Sequence, residues 1–189
     1  MIKDVVKLSR SRRSFRSNVE ISREVLLELV DTARYCPAAM NLQVLKYRLV
    51  TDKDEINAML GITRWATSLN IKLPPKDHEP SAFIVICHDT AISPVKPIFM
   101  IDVGICAQTI MLAAAEMRLG GCIIGSAESE TIRETLGLDA RFVPQLVLGL
   151  GLPDDKIELV EANGENVKYY RDENNIHYVP KRPLEEIIL

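Results

Sequence analysis

Four short clusters hold the polar residues best suited to chemistry. SRRSFR (residues 11–16) sets Arg12, Arg13 and Arg16 beside Ser14, close to the N-terminus. PAAMNLQ (37–43) carries two side-chain amides, Asn41 and Gln43, on one loop. IIGS (123–126) follows an apolar run and contains Ile124 and Gly125. VPKRPL (179–184) fixes Lys181 and Arg182 between two prolines. A guanidinium group is a planar fork suited to bidentate contact with phosphate, and a serine adds a hydroxyl donor. Each cluster also has a plain explanation when taken singly. Arginines can solubilise a helix end, a Lys-Arg pair can be a solvated tail, amides can hold their own loop, and Ile-Gly can be core strand.

The chain around these clusters narrows the choice. It has 189 residues, enough for one medium domain with a real core, and no repeat or linker divides it. Lys plus Arg is 23 and Asp plus Glu is 26, a net charge of -3. That balance argues against a general nucleic-acid binder, which carries a basic face and a basic total. A local basic cluster inside an acidic chain points instead to a small anionic ligand. The N-terminus MIKDVVKLSRSRRS is amphipathic without an apolar signal core, so a cytoplasmic protein is expected. Cys36, Cys87, Cys106 and Cys122 form no C-x-x-C pair, and the last three lie in apolar runs, as buried free thiols do. His78, His88 and His177 are scattered, so no structural zinc is expected.

Other motifs fail on inspection. GLGLPD (149–154) begins like a dinucleotide fingerprint, but Pro153 and Asp154 stand where the turn needs glycine and a helix start. There is no G-x-x-x-x-G-K-[ST], no G-x-S-x-G and no Cys-His-Asn arrangement for nucleophilic catalysis.

The elements that must position the clusters follow from periodicity. A first helix is expected over Ile2 to about Ser9. A second starts at Ser22, a good N-cap, and carries an apolar stripe through Val25, Leu26, Leu29, Val30 and Ala33. LKYRLVT reads as a strand, Asp54 to Leu60 as a short helix, and 61–80 as a long surface connection or lid. AFIVICH (82–88) is a buried strand. Ile98 to Leu119 is a helix without charge from Val103 to Ala115, too short in that run to span a membrane. A helix apolar nearly all round must be covered on all sides, which predicts an obligate homodimer with this helix at the interface. Gly120-Gly121 is expected to cap it. CIIG and QLVLGLG read as strands with a helix from Ser129 between them. The segment from Asp154 reads as polar and weakly periodic, ending in an arm (176–189) whose apolar IIL crosses to the partner.

In this order the clusters resemble those of the FMN-dependent nitroreductase family. The matching stretches are RRSFR, then Pro37, Asn41 and Gln43, then DVGICAQTIMLAAAEMRLGG leading to CIIGS, then GLGLPD and VPKRPLEEI. The resemblance implies an α+β fold, a central mostly antiparallel sheet flanked by helices, in a dimer with C-terminal arm exchange. It implies FMN at the dimer interface, with Arg12, Ser14, Lys181 and Arg182 around the phosphate and Arg13 nearby. Arg16 would face the N1/O2 edge of the ring, Asn41 and Gln43 the pyrimidine edge, and the backbone N–H groups of Ile124 and Gly125 the N5/O4 side. Pro37, Ala38 and Ala39 would pack on the ring from the other subunit. The activity implied is a ping-pong reductase. NADH or NADPH reduces the flavin, and a small electron-poor acceptor such as a nitroaromatic or quinone then takes the electrons, with no side-chain acid or base required. A non-catalytic FMN-binding protein, or a divergent member acting in reductive dehalogenation or flavin destruction, is the alternative. The family loop often continues with Pro-Trp where Val44 and Leu45 stand here.

Overall fold

The computed structural model describes residues 1–67, 69 and 71–189. Its centre is a four-stranded sheet in the order β1-β2-β4-β3, antiparallel at every junction. The strands are β1 (Leu45–Val50), β2 (Ala82–Asp89), β3 (Gly120–Ile124) and β4 (Phe142–Gly151). All eight residues of β2 are buried, because both faces of the sheet are covered. Side chains alternate across a strand. Ala82, Ile84 and Ile86 therefore enter one core, with α2 (Arg23–Arg34) and α4 (Phe99–Glu116). Phe83, Val85 and Cys87 enter the other, with residues of α3 (Lys53–Ile62) and α5 (Ser129–Thr135). The molecule is an α+β fold of three layers, helix, sheet and helix, as expected.

Local chemistry explains the helix starts. The Ser22 hydroxyl accepts the Val25 N–H at 3.4 Å. The Asp52 carboxylate accepts the N–H groups of Asp54 and Glu55 at 3.0 and 3.1 Å, so α3 begins one residue before the expected Asp54. α1 (Ile2–Leu8) lies where predicted but buries no residue.

Two expectations change. Gly120 and Gly121 do not cap α4. Arg118 takes the left-handed turn (φ 61°), and both glycines belong to β3. They are glycine because of close approach. A Cβ on Gly121 would stand 2.3 Å from the Gly149 carbonyl oxygen, and one on Gly120 would stand 2.6 Å from Pro153 and 2.8 Å from Arg12. The second change is the polar C-terminal region, which forms a separate three-stranded sheet in the order β5-β7-β6. Its strands are β5 (Lys156–Glu161), β6 (Tyr170–Arg171) and β7 (Ile176–Lys181). The first half of the expected 176–189 arm is thus β7, paired parallel to β5 of its own chain. The 61–80 segment is anchored by Trp65 and Leu73, both buried. Trp65 meets Phe15 and Phe83 edge-on, and its indole N–H donates to the Thr63 hydroxyl at 3.1 Å. Ser68 and Asn70 of that segment lie outside the described residues.

Candidate functional site

Phe15 fixes the SRRSFR segment. Its ring is wholly buried, and it fills the space above Gly151, where a Cβ would fall 2.6 Å from it. Trp65 does the same above Gly149. The two glycines of the GLG motif therefore serve two aromatic rings. Main-chain bonds complete the anchoring. Arg12 N–H donates to Gly121 O at 2.8 Å, Phe15 N–H to His78 O at 3.0 Å, and Arg16 N–H to Leu152 O at 2.9 Å.

The three arginines then diverge. The Arg12 guanidinium turns to Asp155, donating to its carbonyl at 2.8 Å and its carboxylate at 3.1 Å, with both side chains largely buried. The same carboxylate accepts the Arg13 backbone N–H at 3.0 Å. Arg16 is exposed. Arg13 reaches the C-terminal sheet and lies 5.7 Å from the centre of the Tyr169 ring. There it lines a pocket of about 260 Å³ with Lys181, Arg10, Ser9, Ser11 and Gln108. Tyr169 and His177 line it too. Among the described residues, no carboxylate lines this pocket. Ser14 is buried outside it, and Arg182 pairs with Glu186 at 3.1 Å. Of the residues expected around a phosphate, the structure brings Arg13 and Lys181 together and commits Arg12 to Asp155.

His177 is 3% exposed. Burial, and then the neighbouring charges of Arg13 and Arg171, push its pKa down to about 4, so the imidazole is neutral at pH 7. Burial raises the Cys122 thiol beside Arg13, which stays protonated. Asp155, Tyr169 and His177 were not singled out from the sequence. Polarity hid β7, which carries His177, and the short β6 that follows Tyr169.

The PAAMNLQ loop lies elsewhere. Met40, Asn41 and Gln43 all have φ between 51° and 53°, a left-handed conformation that costs non-glycine residues energy and concentrates at functional loops. Asp102 holds this loop: its carboxylate oxygens accept the Ala39 N–H at 3.0 and 3.1 Å from inside α4. Pro37, Ala38 and Gln43 line a second cavity of about 410 Å³, between α2 and β1, with Cys36, Tyr47 and Asp102. This cavity shares no lining residue with the Arg13–Lys181 pocket. Ala39 lies on a smaller surface pocket beside Ile98, Ile101 and Ile105.

Ile124 is a core residue, whereas Gly125 is exposed, its nearest neighbour 4.0 Å from where a Cβ would be. Space at Gly125 is therefore not what demands glycine. The next residue, Ser126, ties this turn to the 61–80 segment. Its hydroxyl donates to Arg64 O at 2.7 Å and accepts Arg64 N–H at 3.1 Å.

A central antiparallel sheet lies between helix layers, with a basic N-terminal segment running beside its β3 edge. The model of the Nitroreductase family matches residues 9–152, and the chain belongs to that family. A protein of Archaeoglobus fulgidus, provisionally named an NADH dehydrogenase/NAD(P)H nitroreductase, is 28% identical over 86% of this chain and 92% of its own length. A provisionally named nitroreductase of Desulfovibrio desulfuricans, solved in complex with FMN, superposes with a TM-score of 0.72 at 19% identity. That match covers 100% of this chain and 95% of the other. An FMN-dependent nitroreductase of Clostridium difficile superposes with a TM-score of 0.65 at 22% identity, over 85% and 91% of the two chains. At these identities the structural matches define the fold.

Proposed function

We propose that this protein is an FMN-dependent oxidoreductase that takes electrons from NADH or NADPH and delivers them to a small electron-poor acceptor. The observation that carries this reading is the acid-free pocket where Arg13 and Lys181 meet. The chain ends that supply them are far apart in sequence, and two facing cations with serine hydroxyls suit a phosphate dianion. The fit to FMN is tested by polar atoms without partners: Arg13 Nε is buried with no acceptor among the described residues. When bound, FMN supplies the hydride-accepting chemistry. Arg13 and Lys181 would neutralise its phosphate. Arg16, exposed three residues further along the same segment, supplies a positive charge suited to the ring's N1/O2 edge, which favours the reduced cofactor. Arg12 positions the segment through Asp155.

Asn41 and Gln43 cannot meet Arg13 in one cavity of one chain, and a second chain resolves this. On α4, Ile98, Ile101, Ile105, Gln108 and Leu112 recur at alternating spacings of three and four. Ile98, Ile101 and Gln108 are exposed, and Ile105 and Leu112 half-buried. A two-fold, antiparallel packing of this stripe about its midpoint, Ile105, sets Asp102 of one protomer opposite Gln108 of the other. Asp102 holds the PAAMNLQ loop, and Gln108 lines the basic pocket. The dimer would therefore bring Pro37–Gln43 of one chain to the anion pocket of the other. The tail after β7 exposes Leu184, Ile187 and Ile188, and the open edge of β1 beside the 410 Å³ cavity is the surface on which a partner's tail would land.

The test is the visible absorption spectrum of the purified protein, before and after anaerobic NADH or NADPH. A flavin spectrum that bleaches supports the reading. A protein that stays colourless after FMN is added and dialysed overturns it.

A further inference from the structure

Three buried nitrogens, Arg13 Nε, Arg171 Nε and His177 Nδ1, have no hydrogen-bond partner among the described residues, and both guanidinium groups act electrostatically on the imidazole. They come from two distant parts of the chain. Arg13 belongs to the N-terminal segment. Arg171 and His177 stand opposite each other in the β6–β7 register, on the same face of the C-terminal sheet. Buried polar groups are nearly always paired, because an unmade hydrogen bond leaves the full desolvation cost. One such atom is an exception, but three such nitrogens on neighbouring side chains leave unmet capacity for an acceptor. The pocket beside them is lined by cations, hydroxyls and Tyr169, and His177 opens onto it while 3% exposed. The Tyr169 and His177 rings are 5.2 Å apart at a tilt of 57°, which fixes the imidazole plane.

We propose that His177, on a strand outside the family-matching segment, is a phosphate-binding residue whose Nδ1–H completes the anion pocket formed by Arg13 and Lys181. The C-terminal sheet is then a clamp for the cofactor's phosphate rather than a decoration of the fold. Neutrality suits the role. A neutral imidazole donates one N–H and adds no charge to a pocket that already gathers three cations, Arg10, Arg13 and Lys181. Asp155, the nearby carboxylate, is engaged by Arg12 and by the Arg13 N–H, so it does not supply the missing acceptor.

The inference rests on the FMN reading for the identity of the phosphate, and the two can fail separately. The experiment measures binding of FMN and of riboflavin, which lacks the phosphate, to apoprotein by fluorescence quenching. The wild type is compared with His177→Phe and with His177→Asn, which retains an N–H donor near the Nδ1 position. His177→Phe is expected to weaken FMN about tenfold or more, as loss of a hydrogen bond to a charged group predicts, and to leave riboflavin unchanged. His177→Asn is expected to restore most of the difference. An FMN-to-riboflavin ratio equal to wild type in His177→Phe overturns the proposal. If the variants do not fold, the wild-type His177 imidazole is followed by NMR. A shift on adding FMN but not riboflavin supports the proposal, and no shift overturns it. Wild-type protein that binds neither flavin overturns the FMN reading alone. Inorganic phosphate then decides the pocket, through the same His177 signal.

Discussion

Asp102 sits in the first turn of a helix that carries no further charge until Glu116, and it is 4% exposed. A buried carboxylate there needs a reason, and the Ala39 N–H supplies it. Replacing it with alanine leaves that N–H without a partner and releases a loop held at three positive φ angles. Asp102→Ala is expected to cost about 1–3 kcal/mol in urea unfolding and to weaken flavin binding in the same variant. Arg16 is the opposite case: exposed, and free to be removed without harm to the core. Arg16→Ala should leave the unfolding midpoint unchanged while lowering the flavin's reduction potential or content. Wild-type potential and content would sink its assigned role. His177 gives a pH signature. Its folded pKa, about 4, lies below the ordinary histidine value near 6.5. Between those values the unfolded chain binds the extra proton, so apoprotein stability falls as pH drops from about 6.5 to about 4. Urea midpoints at pH 7 and 4.5 should differ more in the wild type than in His177→Asn.

At the scale of elements, legibility depended on whether burial left a pattern. β2 and α4 stood out because both are covered on most sides and read as long apolar runs. β5, β6 and β7 did not. β5 buries none of its residues and exposes Glu158 and Leu159 in succession, and β6 has only two residues, so neither presents a pattern long enough to recognise. The site divided the same way. The arginines, the amide loop and the Lys-Arg pair were visible as residue types, but the partner of each was not. Arg12 could have faced a phosphate, and only the fold shows Asp155 beside it. Glycines were the least legible. Gly120-Gly121 suited a helix end equally well, yet they serve close approach between strands. Gly121→Ala would drive a Cβ against backbone, which cannot rotate away. It is expected to destabilise the fold by about 1–3 kcal/mol, the usual range of overpacking. Gly61→Ala, with nothing within 4 Å of the new Cβ on α3, should leave stability unchanged or raise it by up to about 1 kcal/mol. Urea unfolding of the two variants side by side checks both.

At the scale of the whole molecule, α4 raises two possibilities. It is long and apolar enough to cross a membrane by composition, yet half of it is buried inside its own chain. It packs on α1, α2, β3 and β4, and its uncovered side is a narrow stripe rather than a full circumference. A stripe of that width fits one helix-sized partner. Ile101 lies in it and is 57% exposed, so a polar residue there costs the lone chain little. In the two-fold dimer the same change buries one carboxylate from each protomer in an apolar seam. Ile101→Asp is therefore expected to give a folded monomer by size-exclusion chromatography with light scattering, where the wild type elutes as a dimer. If the partner's PAAMNLQ loop is needed at the anion pocket, that monomer also loses flavin. A monomeric wild type, or a dimeric Ile101→Asp with its flavin intact, would place the interface elsewhere and leave Asn41 and Gln43 without a route to the cofactor.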